Sequence, residues 1–201
     1  MKMITYNNNK ITPSKIVCIG RNYVEHIAEL GNEIPASMVV FNKPNSAISD
    51  TLNYYKEDTR FEGEICFLIE DKSIVGIGFG LDLTHADIQN SMKSKGLPWE
   101  RAKSFDGSAV FSAFVSFDGD ITKLSMKLTI NDMLIQFANY DLMMYKPYPM
   151  IEEIESFMSL EDGDIIMSGT PKGVGTYAKG DSFVGEVFYD EELLVRGVWV
   201  V

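Results

Sequence analysis

The stretch Phe61-Glu62-Gly63-Glu64-Ile65-Cys66-Phe67-Leu68-Ile69-Glu70 reads as a strand that starts acidic and turns apolar. Side chains alternate across a strand, so Glu62 and Glu64 share one face, and that face continues as Cys66 and Leu68. Like charges this close repel unless a proton or a cation lies between them; taken alone, the pair could equally be a solvated strand end. The next strand, read over residues 74–83, ends in Leu81-Asp82-Leu83 and brings a third carboxylate between two apolar neighbours. Three oxygen donors from two neighbouring strands, with positions left for water and substrate, suit Mg²⁺ or Mn²⁺ better than zinc, which prefers nitrogen and sulfur.

Outward from this pair, further strands are expected over residues 16–19, 38–41, 124–130, 134–137, 165–167, 183–188 and 193–201. Tight hairpins are expected at Asn131-Asp132 and within residues 189–192, and a surface turn at Asn7-Asn8-Asn9. Helix signals are few. One helix begins near Tyr23 and stops at Gly31-Asn32, a pair suited to the left-handed conformation. A second has Thr84 as its cap and ends at Gly96; a third opens at Pro149 with Ile151, Ile154 and Phe157 three apart. The expectation is a mainly β chain with a few short helices, a sandwich or rolled barrel, forming one domain over residues 1–201.

With 201 residues, 45% of them apolar, the chain can bury a sizeable core. A formal net charge of −11 would repel a nucleic-acid backbone and an anionic membrane surface. No apolar run reaches the roughly 18 residues of a membrane span, and no secretory signal is read at the amino terminus, so a cytoplasmic protein is expected. Cys18 and Cys66 sit in apolar runs and are expected as buried thiols.

Other segments carry weaker signals. His26 stands three residues before Glu29 on a short helix, where the carboxylate can hold one imidazole tautomer; a surface ion pair has the same spacing. Ser168-Gly169-Thr170-Pro171-Lys172-Gly173-Val174-Gly175 can bring backbone N–H groups to an anion, or be a tight connection. It lacks the ending of a nucleotide phosphate loop. Lys43 and Lys103 lie in apolar surroundings near strand ends, where a cation could meet a substrate carboxylate.

Taken in order, these segments resemble the fumarylacetoacetate hydrolase family, in particular its small acylpyruvase-like and oxaloacetate decarboxylase-like members. The resemblance runs through Gly20-Arg21-Asn22-Tyr23 with His26 and Glu29, Phe41-Asn42-Lys43-Pro44, Glu62-x-Glu64 and Leu81-Asp82-Leu83-Thr84. It continues through Asp87-Ile88-Gln89, Trp99, Ala102-Lys103-Ser104-Phe105-Asp106, Asn131-Asp132, and residues 163–175 with Gly180-Asp181. It implies a rolled mixed β-sandwich, a homodimer, and a Mg²⁺ or Mn²⁺ site of Glu62, Glu64 and Asp82, which Ca²⁺ can occupy in crystals. It further implies a His26–Glu29 pair on a lid that orders around ligand, Lys103 as a catalytic cation, and Arg21, Lys43, Gln89, Gly169 and Thr170 as substrate contacts.

Two departures stand out. Ala86 occupies the place of a family arginine, so Arg21, Lys43 or His85 would have to supply the missing cation. The connection between the two acid-bearing strands is cut to Glu70-Asp71-Lys72-Ser73, which should leave their pairing intact. The activity the resemblance implies first is metal-dependent hydrolysis of a C–C bond in a small 2,4-dioxo acid such as an acylpyruvate or fumarylpyruvate, giving pyruvate. His26 would activate the water, and the metal with Lys103 would stabilise the enolate. The alternatives are an oxaloacetate decarboxylase or keto–enol tautomerase, which needs no attacking water, and a non-catalytic 2-oxo acid binding protein.

Overall fold

The computed structural model describes residues 1–29, 31 and 34–201. Alternating apolar positions and tight turns build a mainly β architecture, with short helices at its rim. The large sheet runs Val39–Pro44, Lys15–Gly20, Ile165–Met167, Gly63–Glu70, Ser73–Asp82, Ala109–Phe111 and Ile48–Ser49, with Val115–Ser116 also on Ser73–Asp82. It is mixed: Ile165–Met167 is parallel to Lys15–Gly20 and antiparallel to Gly63–Glu70. A second sheet orders Met133–Asn139, Leu124–Ile130, Ser182–Tyr189 and Glu192–Val200.

Gly63–Glu70 is buried at every position but the last, because both of its faces are covered. Ile65, Phe67, Ile69, Ile77, Phe79 and Leu81 face the second sheet and join its Leu128, Phe183 and Trp199 in the larger core. Cys66 and Leu68 point the other way, into a smaller core with Ile16, Cys18, Phe114 and Met167. The Glu62–Glu64 row is therefore continuous with this smaller core, as the alternation requires. Cys18 and Cys66 are buried thiols there, and burial pushes both of their pKa values up.

The acid-bearing strands turn on Asp71-Lys72, both at positive φ; the register shifts by one residue between Leu68 and Ile69, and the two strands stay paired from Gly63–Leu81 to Glu70–Ser73. Asn7-Asn8, Asn131-Asp132 and Asp190-Glu191 make the same left-handed pair at the expected turns. The expected strand over residues 61–69 is interrupted at Glu62: Thr59–Phe61 pairs with Gly175–Thr176 and Thr84–His85, and the long strand begins at Gly63.

The first helix spans Val24–Glu29, and Gly31 is left-handed at φ +63°; Asn32 lies outside the described residues. The second spans Ala86–Ser94, and Thr84 is not its cap: the Thr84 hydroxyl donates to Glu62 Oε1 at 2.8 Å, while Asp58 Oδ2 accepts from the Asp87 amide. The third starts earlier than expected, at Pro147, and ends at Glu155. Phe157 falls beyond it and is exposed, where the spacing had put it on the buried stripe. A further turn of helix, Glu100–Lys103, carries a lysine that the sequence left without an element.

Candidate metal centre and its cavity

The register of the two acidic strands sets the geometry. Gly63 pairs with Leu81 and Glu64 with Gly80, and the Asp82 amide donates to the Glu62 carbonyl at 2.9 Å. Glu62 and Asp82 thus stand opposite each other, with Glu64 one step along the same face. Glu64 faces a glycine, so no side chain competes with its carboxylate across the strand pair. One oxygen from each of Glu62, Glu64 and Asp82 lies within 4.8 Å of the other two.

The three acids have unequal surroundings. Burial works to raise the Glu62 carboxyl, but the Lys103 ammonium and hydrogen bonds from Lys103 (2.9 Å) and Thr84 outweigh it and hold the pKa below its ordinary value. Burial, then the charges of Asp82 and Glu62, push the Glu64 carboxyl well up; the Gly169 amide donates to its Oε2 at 2.7 Å. Asp82 Oδ2 accepts from Lys103 at 2.7 Å, and Oδ1 is ion-paired with Lys43 at 2.8 Å at an angle outside hydrogen bonding. Burial opposes the charge on Lys103, but Asp82 and Glu62 prevail and keep it protonated.

The two lysines are ion-paired with Glu62 and Asp82 and not with Glu64, the acid whose charged form is least supported. A hard divalent cation is the partner this oxygen-only donor set fits.

A small cavity of about 40 Å³ opens over the acids. Among its lining residues are eight of the expected site residues: Arg21, His26, Glu62, Glu64, Asp82, Gln89, Lys103 and Thr170. Glu29 stands behind His26, its Oε2 3.4 Å from Nδ1, and it also accepts from the Gly173 amide at 3.1 Å. The helix that carries the pair is thereby tied to the glycine-rich loop. Arg21 is left-handed at φ +57°, at the turn out of Lys15–Gly20.

Two expected substrate contacts are placed otherwise. Lys43 is fully buried; its ammonium donates to the Leu83 and Lys103 carbonyls and is ion-paired with Asp82. It is a counter-charge to Asp82 and does not line the cavity. Gly169 offers its amide to Glu64, so it supports a candidate ligand; it is at φ +93°, and a Cβ there would come within 2.8 Å of Asn22 Cβ. His85 is no substitute for the cation missing at Ala86: it stacks on Phe105 at 3.9 Å, with Nδ1 3.2 Å from the Thr59 hydroxyl.

Three residues that the sequence did not assign complete the site. Gln136 is buried; its Nε2 donates to the Thr170 hydroxyl at 2.9 Å and its Oε1 accepts from Gly63 at 2.9 Å, locking the loop to the acidic strand. Polar Gln136 between apolar neighbours on a strand was the available signal. Lys93 and Trp99 line the cavity, with Lys93 four residues after Gln89 and so on the same helix face.

Residues 15–192 match the family described as Fumarylacetoacetate (FAA) hydrolase C-terminal. The chain is 37% identical over 187 residues to a protein of Escherichia coli K12 named oxaloacetate tautomerase YcgM, covering 84% of this chain and 85% of that one. It superposes at TM-score 0.94, with 34% identity and full coverage of both chains, on a protein from Oleispira antarctica provisionally named fumarylacetoacetate isomerase/hydrolase. A fumarylpyruvate hydrolase from Pseudomonas aeruginosa, solved in complex with Mn²⁺ and pyruvate, shares the fold at TM-score 0.88 and 24% identity, over all of this chain and 96% of its own. A β-fold built around one acidic strand pair, matched over nearly its whole length, makes this chain a member of the fumarylacetoacetate hydrolase family.

Proposed function

We propose that the chain is a divalent-metal-dependent keto–enol tautomerase acting on oxaloacetate or a closely similar 2-oxo diacid. The observation that carries this reading is the meeting, in one cavity, of the Glu62–Glu64–Asp82 cluster with His26 and Lys103. The similarity to a protein named oxaloacetate tautomerase supports this activity over C–C hydrolysis, the one the sequence put first. Mg²⁺ or Mn²⁺ held by Glu62, Glu64 and Asp82 would polarise the 2-oxo group and its neighbouring carboxylate as a Lewis acid.

The chain's own residues handle the proton. Glu29 at Nδ1 fixes the His26 tautomer and leaves Nε2 as the nitrogen for proton transfer. His26 takes a proton from the carbon beside the oxo group, and the electron pair of that C–H bond moves toward the oxo oxygen. Lys103 uses two of its three donors on Glu62 and Asp82; the third meets the developing negative charge. Gln89 makes no hydrogen bond with a described residue, so its amide is available to orient the substrate carboxylate. The same proton returns to carbon or to oxygen, and no water is consumed.

The test follows the ultraviolet absorbance of enol-oxaloacetate in the presence of Mg²⁺. The expected result is accelerated decay to the keto form, reduced by about 10²–10⁴-fold in His26→Gln. Release of pyruvate from acetylpyruvate would favour hydrolysis; loss of CO₂ from oxaloacetate at the same rate would favour a decarboxylase. Binding of 2-oxo acids with no turnover would make the chain a binding protein.

A further inference from the structure

We infer that Lys93 sets the preference for diacids by gripping the carboxylate that lies farther from the oxo group. This rests on the reading of the site as one for a 2-oxo diacid.

Lys93 is half-buried on Ala86–Ser94, one turn beyond Gln89, and both line the cavity. Its ammonium lies 5.2 Å from the centre of the Trp99 ring. The ammonium makes no hydrogen bond or ion pair with any described residue, whereas Lys43 and Lys103 are both paired with the buried Asp82. Burial, then the nearby charge of Arg21, push the Lys93 pKa down to about 8, the behaviour of an ammonium in need of an anion.

A 2-oxo diacid presents two anionic ends. The acidic cluster takes the end that chelates a cation. The second carboxylate then needs a positive partner elsewhere on the wall, because burying it unpaired is unfavourable. Ala86, two turns before Lys93 on the same helix, is buried and does not line the cavity. The positive charge absent at residue 86 is thus supplied from residue 93. A monoacid such as pyruvate has no group to reach Lys93.

The test is equilibrium binding to the Mg²⁺-loaded protein, by calorimetry, of 3,3-difluoro-oxaloacetate, which cannot enolise, and of pyruvate. Lys93→Met keeps the aliphatic stem and removes the charge. It should weaken the difluoro diacid by about 10–100-fold and leave pyruvate within about twofold. Lys93→Arg should restore the diacid to within about fivefold, and the KM for oxaloacetate should follow the same order with a smaller change in kcat.

Unchanged diacid affinity in Lys93→Met, or an equal loss for pyruvate, overturns the inference. Wild-type binding of both ligands without tautomerisation, with the diacid alone weakened by Lys93→Met, would overturn the proposed activity and leave the role of Lys93 standing. Wild-type protein that binds neither ligand overturns both.

Discussion

Glu62 and Glu64 are two residues apart on one face, yet their surroundings drive their protonation in opposite directions. Glu62 has a lysine and a threonine hydroxyl; Glu64 has one backbone amide and two like-charged neighbours. A neutral isostere at Glu64 therefore removes repulsion without removing a counter-charge. In Glu64→Gln the side-chain oxygen can still accept from Gly169, so the metal-free Tm should equal or exceed that of the parent. Saturating Mg²⁺ or Mn²⁺ should raise the parent's Tm by about 5–10 °C, corresponding to about 2.7 kcal/mol at a hundredfold excess over Kd. The variant should lose that rise. Differential scanning fluorimetry with and without chelator measures both, and a variant that keeps the full metal response would remove Glu64 from the site. That three acids converge was legible from alternation alone. The uses of Lys43 and Gly169 were not, because a lysine facing a cavity and one buried beneath an aspartate have the same sequence context.

The strands that carry the acids are approached closely by their neighbours at glycines. Gly185, on Ser182–Tyr189, sits against the Phe79 ring of Ser73–Asp82; a Cβ there would fall 2.2 Å from a ring carbon of a fully buried side chain. This contact sets the spacing between the two sheets directly behind the acidic strand pair. Gly185→Ala should destabilise by about 2–3 kcal/mol, lowering Tm by about 5–10 °C. Adding Phe79→Leu, which shortens the opposing side chain, should make the double variant less destabilised than the sum of the two singles. Additive losses in thermal unfolding would show that the two residues do not share the contact.

Strand identities came through because period-two patterning and left-handed turn pairs are local signals, and these strands obey them. The break at Glu62 and the diversion of Thr84 from helix cap to carboxylate donor did not. Both are settled by partners distant in sequence: a three-stranded sheet joining residues 59–61, 84–85 and 175–176, and a half-buried acid 22 residues upstream of the threonine.

Across the whole molecule, the large sheet is assembled from strands far apart in the chain, and Asp164 ties together three adjacent strands within it. Its Oδ1 accepts from the Ser14 hydroxyl at 2.7 Å, the Ser14 amide at 3.1 Å and the Lys15 amide at 3.0 Å; its Oδ2 accepts from Lys15 Nζ and the Glu161 amide. Its carbonyl takes the Ile69 amide at 3.0 Å, so one residue binds three strands of the large sheet. Burial works to raise this carboxyl, but the hydrogen bonds from Lys15, Ser14 and the backbone outweigh it and hold the pKa below its ordinary value. A carboxyl lowered by folding binds its proton less readily in the native state. Its stabilisation is therefore complete above the unfolded pKa of about 3.9 and is lost as pH falls through the lower native value. In Asp164→Asn the amide NH₂ would face Lys15 Nζ or the Glu161 amide, donor against donor. The variant should lose about 2–3 kcal/mol at pH 7. The difference from the parent should narrow steadily below about pH 4, as the parent loses what the variant never had. Urea unfolding of the metal-free proteins from pH 7 down to about pH 2.5 measures this difference directly. Asp58, Asp120 and Asp181, also lowered by local hydrogen bonds, are common to both proteins and cancel in the comparison. A difference that stayed constant with pH would assign the loss to shape at residue 164 and deny the carboxylate's charge any part in holding these strands together.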